Sequence, residues 1–372
     1  MNEKSRNVVL AVLTLAVIFS LAIFAWVKSP DEYSYSERKQ LAKFPELSFK
    51  TVTSGKFMSS FETYTTDQFP LRETFRTLKA YSRLYLFNQS DNNDVFRSGN
   101  FISKIEYPLN FSSLDYADKK FRNIFEKYLK DAENTKVYLS LIPDKNKFLA
   151  SEVGAPKLDY NEFATYLSEK SGDFAQYINI YDLLEKSDYY YTDTHWRQEK
   201  ILDVAEKLAS DMGTTIDTNY TFSKLNNDFY GVYYGQYAMP LKGEEMYYAE
   251  NPLFDDMKVS YYDNRGQLTE MDMYNMEAAF GRDPYEMYLS GSLSLITIEN
   301  PNAETDRQLI LFRDSFGSSI APYLTTGYSK VTIVDIRYLA SAVLGNFVPD
   351  FNNADVLFLY STLVLNNSSI LK

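Results

Sequence analysis

An uncharged apolar run lies close to the start of the chain. Residues 8–27 form a stretch of 20 residues without a charged side chain. A helix needs about that length to cross a hydrocarbon core of roughly 30 Å. Lys4 and Arg6 precede the run and Lys28 follows it, so a modest excess of positive charge favours a cytoplasmic N-terminus. Because no small-residue cleavage pattern follows the run, we predict an uncleaved membrane anchor over residues 1–28 rather than a signal peptide.

Helical periodicity follows this predicted anchor. Residues 29–51 are mostly polar and contain two prolines, Pro30 and Pro45, and we predict that they form a linker. Apolar residues then recur three and four positions apart, which predicts two amphipathic helices between about 52 and 88 and another over 112–132. Residues 52–372 are expected to form one domain outside the cytoplasm.

The pattern becomes strand-like after residue 136. Short apolar runs typical of buried parallel strands occupy residues 137–142, 178–183, 308–312, 330–336 and 355–360. Helices are predicted over residues 196–212, 316–325 and 338–346. This alternation predicts an α/β fold with a mostly parallel sheet covered by helices on both faces. Residues 213–300 are rich in Tyr and Met and fit neither pattern, so we predict an inserted cap near the ligand-binding edge.

Composition narrows the possible chemistry. The net charge of −12 argues against a nucleic-acid binder, which would need a basic face. The absence of cysteine excludes thiolate nucleophiles and disulfides, and a single histidine argues against a histidine-rich zinc site. A calcium or magnesium ion bound by carboxylates stays open, but the sequence has no EF-hand loop pattern, and we predict neither a metal nor a cofactor. Aromatic residues make up 16% of the chain, which suits the binding of sugar rings but equally suits an ordinary core.

The single histidine lies in the segment Tyr191-Thr192-Asp193-Thr194-His195-Trp196, directly before a predicted helix. A carboxylate two residues away can accept a hydrogen bond from one imidazole nitrogen and leave the other free as a base. By itself this signal is weak, because a lone histidine is more often a structural residue.

A second segment that could take part in catalysis is the turn Asp314-Ser315-Phe316-Gly317, which lies between a predicted strand and a predicted helix. Open parallel sheets bind ligands at the carboxyl ends of their strands, and a helix N-terminus offers N–H groups to an oxyanion. The alternative is that Ser315 or Asp314 only caps the helix. A serine nucleophile needs a base, and His195 is the one histidine able to serve Ser315.

Two further interpretations stay open at this point. A glycosidase with two carboxylates is conceivable, although no carboxylate pair stands out from the acidic surface. Arg337 follows a predicted strand, and it either binds substrate or forms an ion pair.

These motifs resemble those of the DHHW family. Asp193-Thr194-His195-Trp196 is similar to the motif that names the family, with Thr194 in place of its first histidine, and Asp-Ser-Phe-Gly resembles its serine block. The resemblance runs from about residue 35 to the C-terminus and extends to SGNH-hydrolase-like proteins that O-acetylate alginate and related exopolysaccharides. Further segments that fit are Glu37-Arg38, Asp67-Gln68-Phe69-Pro70-Leu71-Arg72 and Pro143-Asp144-Lys145-Asn146.

The resemblance implies a three-layer αβα SGNH-hydrolase-like domain with a triad of Ser315, His195 and Asp193. The Asp-x-His motif precedes the serine, a permuted order that the acetylation proteins share. The implied function is O-acyl transfer, with acetyl as the expected group, onto an exopolysaccharide or cell-wall glycan. A carbohydrate acetylesterase and a non-catalytic glycan-binding subunit remain alternatives. The implied partner is a membrane-bound O-acyltransferase, and the expected oxyanion donor is the Ser315 backbone N–H.

Overall fold

The computed structural model describes residues 2–263 and 266–372, so Met1 of the predicted anchor and Asn264 and Arg265 of the predicted cap lie outside the described residues. The described chain packs into two compact units. Unit 1 contains the residues up to Asn93 together with Tyr234–Leu241, and unit 2 contains Asp94–Tyr233 and Lys242–Lys372. The single domain predicted over 52–372 and the predicted boundaries at 28 and 51 stay predictions.

Unit 1 begins with the predicted apolar helix. Its elements are α1 (Glu3–Val27), β1 (Tyr33–Ser34), β2 (Lys39–Gln40), α2 (Phe49–Thr53), α3 (Lys56–Asp67), α4 (Arg72–Tyr81) and β3 (Asp91–Asn92). The two helices predicted between 52 and 88 are confirmed as α3 and α4. Among residues 2–263 and 266–372, α1 is the one helix long and apolar enough to cross a membrane, a test that a signal sequence also passes.

Two buried polar side chains tie down the segment that follows α1. The Asp67 carboxylate accepts hydrogen bonds from Lys39 Nζ at 2.8 Å and from the Ala42 N–H at 3.0 Å. The Gln68 amide accepts from the Asp31 N–H at 2.8 Å and donates to the carbonyl oxygens of Asp31 and Ala42. Part of the predicted linker is thus held against the end of α3.

We expect Gln68→Ala to loosen this segment. The change removes the acceptor of the Asp31 N–H in a part-buried hydrogen bond, and such a bond contributes about 0.5–1.5 kcal/mol to stability. Hydrogen exchange measured by mass spectrometry should show faster exchange in peptides covering residues 29–42. The exposed Gln89→Ala is the control, and equal exchange in the two variants would contradict the assignment.

Unit 2 contains the main sheet and its covering helices. Its strands are β4 (Val95–Ser98), β5 (Phe101–Lys104), β6 (Lys136–Ile142), β7 (Gln176–Ile178), β8 (Thr221–Lys224), β9 (Tyr247–Glu250), β10 (Lys258–Tyr262), β11 (Leu268–Met271), β12 (Leu295–Glu299), β13 (Gln308–Arg313), β14 (Lys330–Val334) and β15 (Ala354–Ser361). Its helices are α5 (Phe111–Ile124), α6 (Asn146–Val153), α7 (Tyr160–Ser171), α8 (Leu202–Met212), α10 (Met276–Ala279), α11 (Phe316–Thr325) and α12 (Thr362–Leu365). The short helix α9 (Val232–Tyr237) runs from unit 2 into unit 1.

Eight strands form the main sheet in the order β11-β10-β12-β14-β13-β15-β6-β7. The neighbours from β14 to β7 are all parallel, and the pairs that involve β10 or β12 are antiparallel. The prediction of a mostly parallel α/β sheet is confirmed. Four predicted strands coincide with β6, β13, β14 and β15, whereas the run at 178–183 shares only Ile178 with β7.

The segment at 213–300, whose role as an inserted cap stays a prediction, contributes strands to the main sheet. It supplies β10, β11 and β12, which form the antiparallel edge of the sheet. Polar residues such as Lys258 and Ser260 alternate with apolar ones in β10, so a search for continuous apolar runs misses the strand. The helix predicted over 338–346 is wrong, because only a 3₁₀ turn forms at Ser341–Asn346.

Helices cover the sheet on both faces. The helices α8 and α11 bury residues such as Leu208 and Ile320 against one face, together with Leu311 of β13. The helices α5 and α7 bury residues such as Phe121 and Phe163 against the other face. This arrangement confirms the three-layer αβα architecture and places the turn after β13 at the carboxyl edge of the sheet.

Candidate active site

The turn from β13 into α11 presents Ser315. The Asp314 carboxylate accepts hydrogen bonds from the Phe316 N–H at 3.0 Å and from the Ser361 N–H at 2.8 Å. Asp314 therefore caps α11, while the Ser315 side chain makes no capping bond. Between residues 309 and 325 every residue except Ser315 is buried. The capping alternative thus applies to Asp314 and leaves the Ser315 hydroxyl for another partner.

The His195 imidazole lies between a carboxylate and this hydroxyl. Its Nδ1 is 2.6 Å from Asp193 Oδ1, and its Nε2 is 2.7 Å from Ser315 Oγ. The structure thus brings Asp193, His195 and Ser315 together, and their catalytic roles stay a prediction. A carboxylate accepts but cannot donate, so Asp193 fixes the proton on Nδ1 and leaves Nε2 to accept from the serine.

Backbone groups hold the Asp193 carboxylate in place. The side chain is fully buried, and its Oδ1 also accepts from the His195 N–H at 3.1 Å. Its Oδ2 accepts from the Val232 N–H at 2.7 Å. Gly231 approaches so closely that a Cβ atom there would lie 2.2 Å from the Asp193 Cα. Position 231 can therefore hold only glycine without displacing Asp193.

A buried glutamate organises the residues before Asp193. Glu244 Oε1 accepts from both the N–H and the hydroxyl of Thr192 at 2.8 Å, and Oε2 accepts from the Tyr191 N–H at 2.6 Å. The Gly231 N–H in turn donates to Thr192 Oγ1 at 2.8 Å. Sequence reasoning missed Glu244 and Gly231, because both lie in the region predicted as a cap and no local pattern links them to the histidine.

Lys145 supports the same strand-like segment from the other side. It is buried, and its Nζ donates to the carbonyl oxygens of Tyr190 at 2.8 Å and Tyr191 at 3.0 Å. Burial lowers the pKa of Lys145 to about 7, against the attraction of the Glu244 and Asp193 carboxylates. A neutral amine keeps two N–H groups, which is the number that the two carbonyls use.

Aromatic rings fix the plane of the imidazole. Tyr285 stacks on His195 with a centroid separation of 3.8 Å and an interplanar angle of 7°. Its hydroxyl lies 2.8 Å from Ser319 Oγ, which also accepts from Trp196 Nε1 at 2.9 Å. Trp196 donates as well to the Phe316 carbonyl. The tryptophan of the histidine motif therefore bonds directly to the helix that carries the serine.

Arg337 forms an ion pair, which is one of the two roles that the sequence suggests for it. Its Nε donates to Asp335 Oδ1 at 2.9 Å and its Nη2 to Asp335 Oδ2 at 2.6 Å. The fully buried Arg313 also contacts Asp335, at 3.3 Å. Substrate binding by Arg337 stays a prediction.

Comparison with solved structures identifies the fold. PatB1 of Bacillus cereus, solved with a sulfonyl adduct, is 19% identical and has a TM-score of 0.58 over 73% of this chain and 97% of PatB1. A DHHW family protein from Eubacterium siraeum is 17% identical, with a TM-score of 0.59 over 76% of this chain and 97% of its own. The chain has the fold of a DHHW family protein. Neither a protein-family model nor a curated protein sequence matches it.

The chain is less similar to the O-acetyltransferase domain of Pseudomonas putida AlgJ. The identity is 8% and the TM-score is 0.41, over 69% of this chain and 84% of that domain. Likeness at these identities carries the architecture alone, and the chemistry depends on the residues of the site.

We expect Gly231→Ala to weaken the bond between Asp193 and His195, because the added Cβ must push the Asp193 backbone aside. With one histidine in the chain, a ¹⁵N-histidine label gives a single Nδ1–H signal in the NMR spectrum. That signal should lie far downfield in the parent protein and move upfield in the variant. In the control Gly281→Ala it should not move, and an unchanged signal in Gly231→Ala would contradict the packing.

Lys145 should make stability depend on pH. Its folded pKa of about 7 lies below its ordinary value of 10.5, so between these values the unfolded chain binds more protons. Stability should therefore rise with pH across this window, and Lys145→Met should remove that slope. Urea unfolding at several pH values measures the difference between parent and variant. The exposed Lys119→Met is the control, and its free energy of unfolding should follow pH in parallel with that of the parent. The same parallel dependence in Lys145→Met would contradict the lowered pKa of Lys145.

Proposed function

We propose that the protein is a membrane-anchored, extracytoplasmic O-acyltransferase that acts on an exopolysaccharide or cell-wall glycan. The observation that carries the proposal is the continuous contact from Asp193 through His195 to the partly exposed Ser315. This is the arrangement that a serine nucleophile requires. The resemblance of the motifs to exopolysaccharide O-acetylation proteins makes acetyl the expected acyl group.

In the first half-reaction Ser315 Oγ attacks the carbonyl carbon of the acyl donor. Its proton passes to His195 Nε2, and the buried Asp193 carboxylate stabilises the resulting imidazolium. The positive end of the α11 dipole and the Ser315 N–H face the developing oxyanion. The leaving group takes the proton from Nε2, and an acyl-serine ester remains.

In the second half-reaction a sugar hydroxyl is the nucleophile and Ser315 is the leaving group. A sugar hydroxyl gives its proton to Nε2 and attacks the ester carbonyl, and the proton then returns to Ser315 as the acyl-sugar leaves. The acyl donor on this side of the membrane would come from a membrane-bound O-acyltransferase, the partner that the family resemblance implies. Arg337, beside the carboxyl end of β14, is the predicted substrate-binding residue.

Hydrolysis is the second candidate, because water can replace the sugar hydroxyl on the same triad. Transfer requires that water be kept from the acyl-serine. The imidazole is only 12% exposed and is covered by the stacked Tyr285 ring, an observation that favours transfer. The full-length protein should be assayed with an acetyl ester, with and without oligosaccharide. Release of free acetate that is unaffected by the sugar would assign an esterase instead.

Ser315→Ala should lower the rate of acyl transfer by about six orders of magnitude, as removal of a triad nucleophile does. His195→Gln should have a comparable effect. Ser318→Ala is the matched control, because this neighbouring hydroxyl is buried and has no hydrogen-bond partner among the described residues. Undiminished glycan acylation with Ser315→Ala in the native system would instead support a non-catalytic, glycan-binding subunit.

A sulfonyl fluoride should label Ser315 selectively. PatB1 carries a sulfonyl adduct in its solved structure, and a serine whose proton His195 can accept should react in the same way. Peptide mass spectrometry should find one sulfonyl group, located on Ser315, and none after His195→Gln. Labelling that is spread over several serines, or that persists without the histidine, would argue against an activated nucleophile.

A further inference from the structure

An exposed apolar stripe runs along α4 in unit 1. Leu71, Phe75, Leu78 and Tyr85 recur at helical spacing through α4 and its extension to Leu86, and all four are exposed. The apolar side of an amphipathic helix is ordinarily buried against a core. Here the buried position is Ala80, so a different face of the helix packs against the protein.

A basic stripe lies beside the apolar one. It consists of Arg72, Arg76, Lys79 and Arg83, which also recur at helical spacing. Most of this charge is neutralised within unit 1 by Glu37, Glu73 and Asp91. Helices with adjoining apolar and basic faces lie at membrane surfaces. Because the basic groups are paired, attachment should depend on the apolar stripe rather than on anionic headgroups.

Next to the stripe lies a cavity within unit 1, between α1 and the residues that follow it. This cavity of about 740 Å³ is lined by the last turns of α1, from Ile18 to Trp26, and by rings that include Phe44, Phe61 and Phe69. The ring centroids of Phe69 and Phe75 are 5.4 Å apart, and this contact joins the cavity to the stripe.

The length of α1 sets the depth of these rings. Ile18 and Trp26 are eight residues apart, which corresponds to roughly 12 Å along a helix at 1.5 Å per residue. If α1 spans a bilayer, its last turns lie in the outer leaflet, and the rings that share the cavity lie at the same depth. An apolar cavity at that depth is filled by the acyl chains of lipid.

We propose that unit 1 is a membrane-interface module, seated in the outer leaflet through the apolar stripe and the cavity beside α1. Its occupant is phospholipid, with acyl chains against Phe44, Phe61 and Phe69 and headgroups near the basic stripe. The proposal requires that α1 spans the membrane, and it is independent of the chemistry at Ser315.

Tryptophan fluorescence can test this placement in the full-length protein. The chain has two tryptophans, the buried Trp196 and Trp26, which is 93% exposed at the end of α1. Phe75→Trp and Leu78→Trp are each made in a Trp26→Phe background and reconstituted in phosphatidylcholine nanodiscs with or without brominated acyl chains. Phe222→Trp is the control, because Phe222 is 38% exposed and Phe75 is 40% exposed, but it lies on β8 of unit 2.

Brominated lipid should quench the emission added at position 75 or 78 to an extent comparable with that of Trp26, because a ring on the apolar face lies at the acyl boundary. It should affect position 222 much less, and added salt should not restore the emission.

The parent protein provides the separate test of α1, since Trp26 must itself be quenched. Quenching at 75 and 78 no greater than at 222, with Trp26 quenched, would overturn the proposal and assign the stripe to a protein partner. An unquenched Trp26 would overturn it as well, because α1 would not span the bilayer, and neither result bears on the acyl-transfer assays.

Discussion

The buried carboxylate of Asp193 is the constraint on which the candidate site depends. Removing an isolated carboxylate from water is costly unless hydrogen bonds compensate. Here the N–H groups of His195 and Val232 and the imidazole Nδ1 provide that compensation. Each donor comes from a defined position of the backbone or ring, so satisfying the carboxylate also orients the base. The loop that carries Gly231 must come within contact distance to do so, which explains the glycine there.

A second set of bonds joins the base to the nucleophile. Trp196 follows His195 directly and donates to the Phe316 carbonyl and to Ser319 on α11. Ser315 precedes the same helix, whose start is fixed by the Asp314 cap. The distance between imidazole and hydroxyl is therefore set by two rigid connections that do not involve either reacting group. Such indirect support is what keeps catalytic geometry within fractions of an ångström.

The sequence predicts the parts of the fold in which burial produces a continuous pattern. The strands β6, β13 and β15 are apolar runs because both of their faces are covered, and they were predictable for that reason. The edge strand β10 alternates polar and apolar residues and was not predicted. At the site, His195 can be recognised in the sequence as the single histidine, and Ser315 by its place between a predicted strand and a predicted helix. Glu244 and Tyr285, by contrast, act through contacts with distant parts of the chain. Their roles follow from tertiary packing, which no local pattern encodes.

The departure from the DHHW motif at position 194 has a physical explanation. Thr194 lies between Asp193 and His195 in sequence, yet its hydroxyl points to the Tyr233 hydroxyl at 3.1 Å rather than to Ser315. The position therefore contributes to the contact with the 231–233 loop, which also supplies the Val232 N–H to Asp193. With threonine at this position His195 contacts both Asp193 and Ser315, and the proposed acyl transfer does not depend on a second histidine.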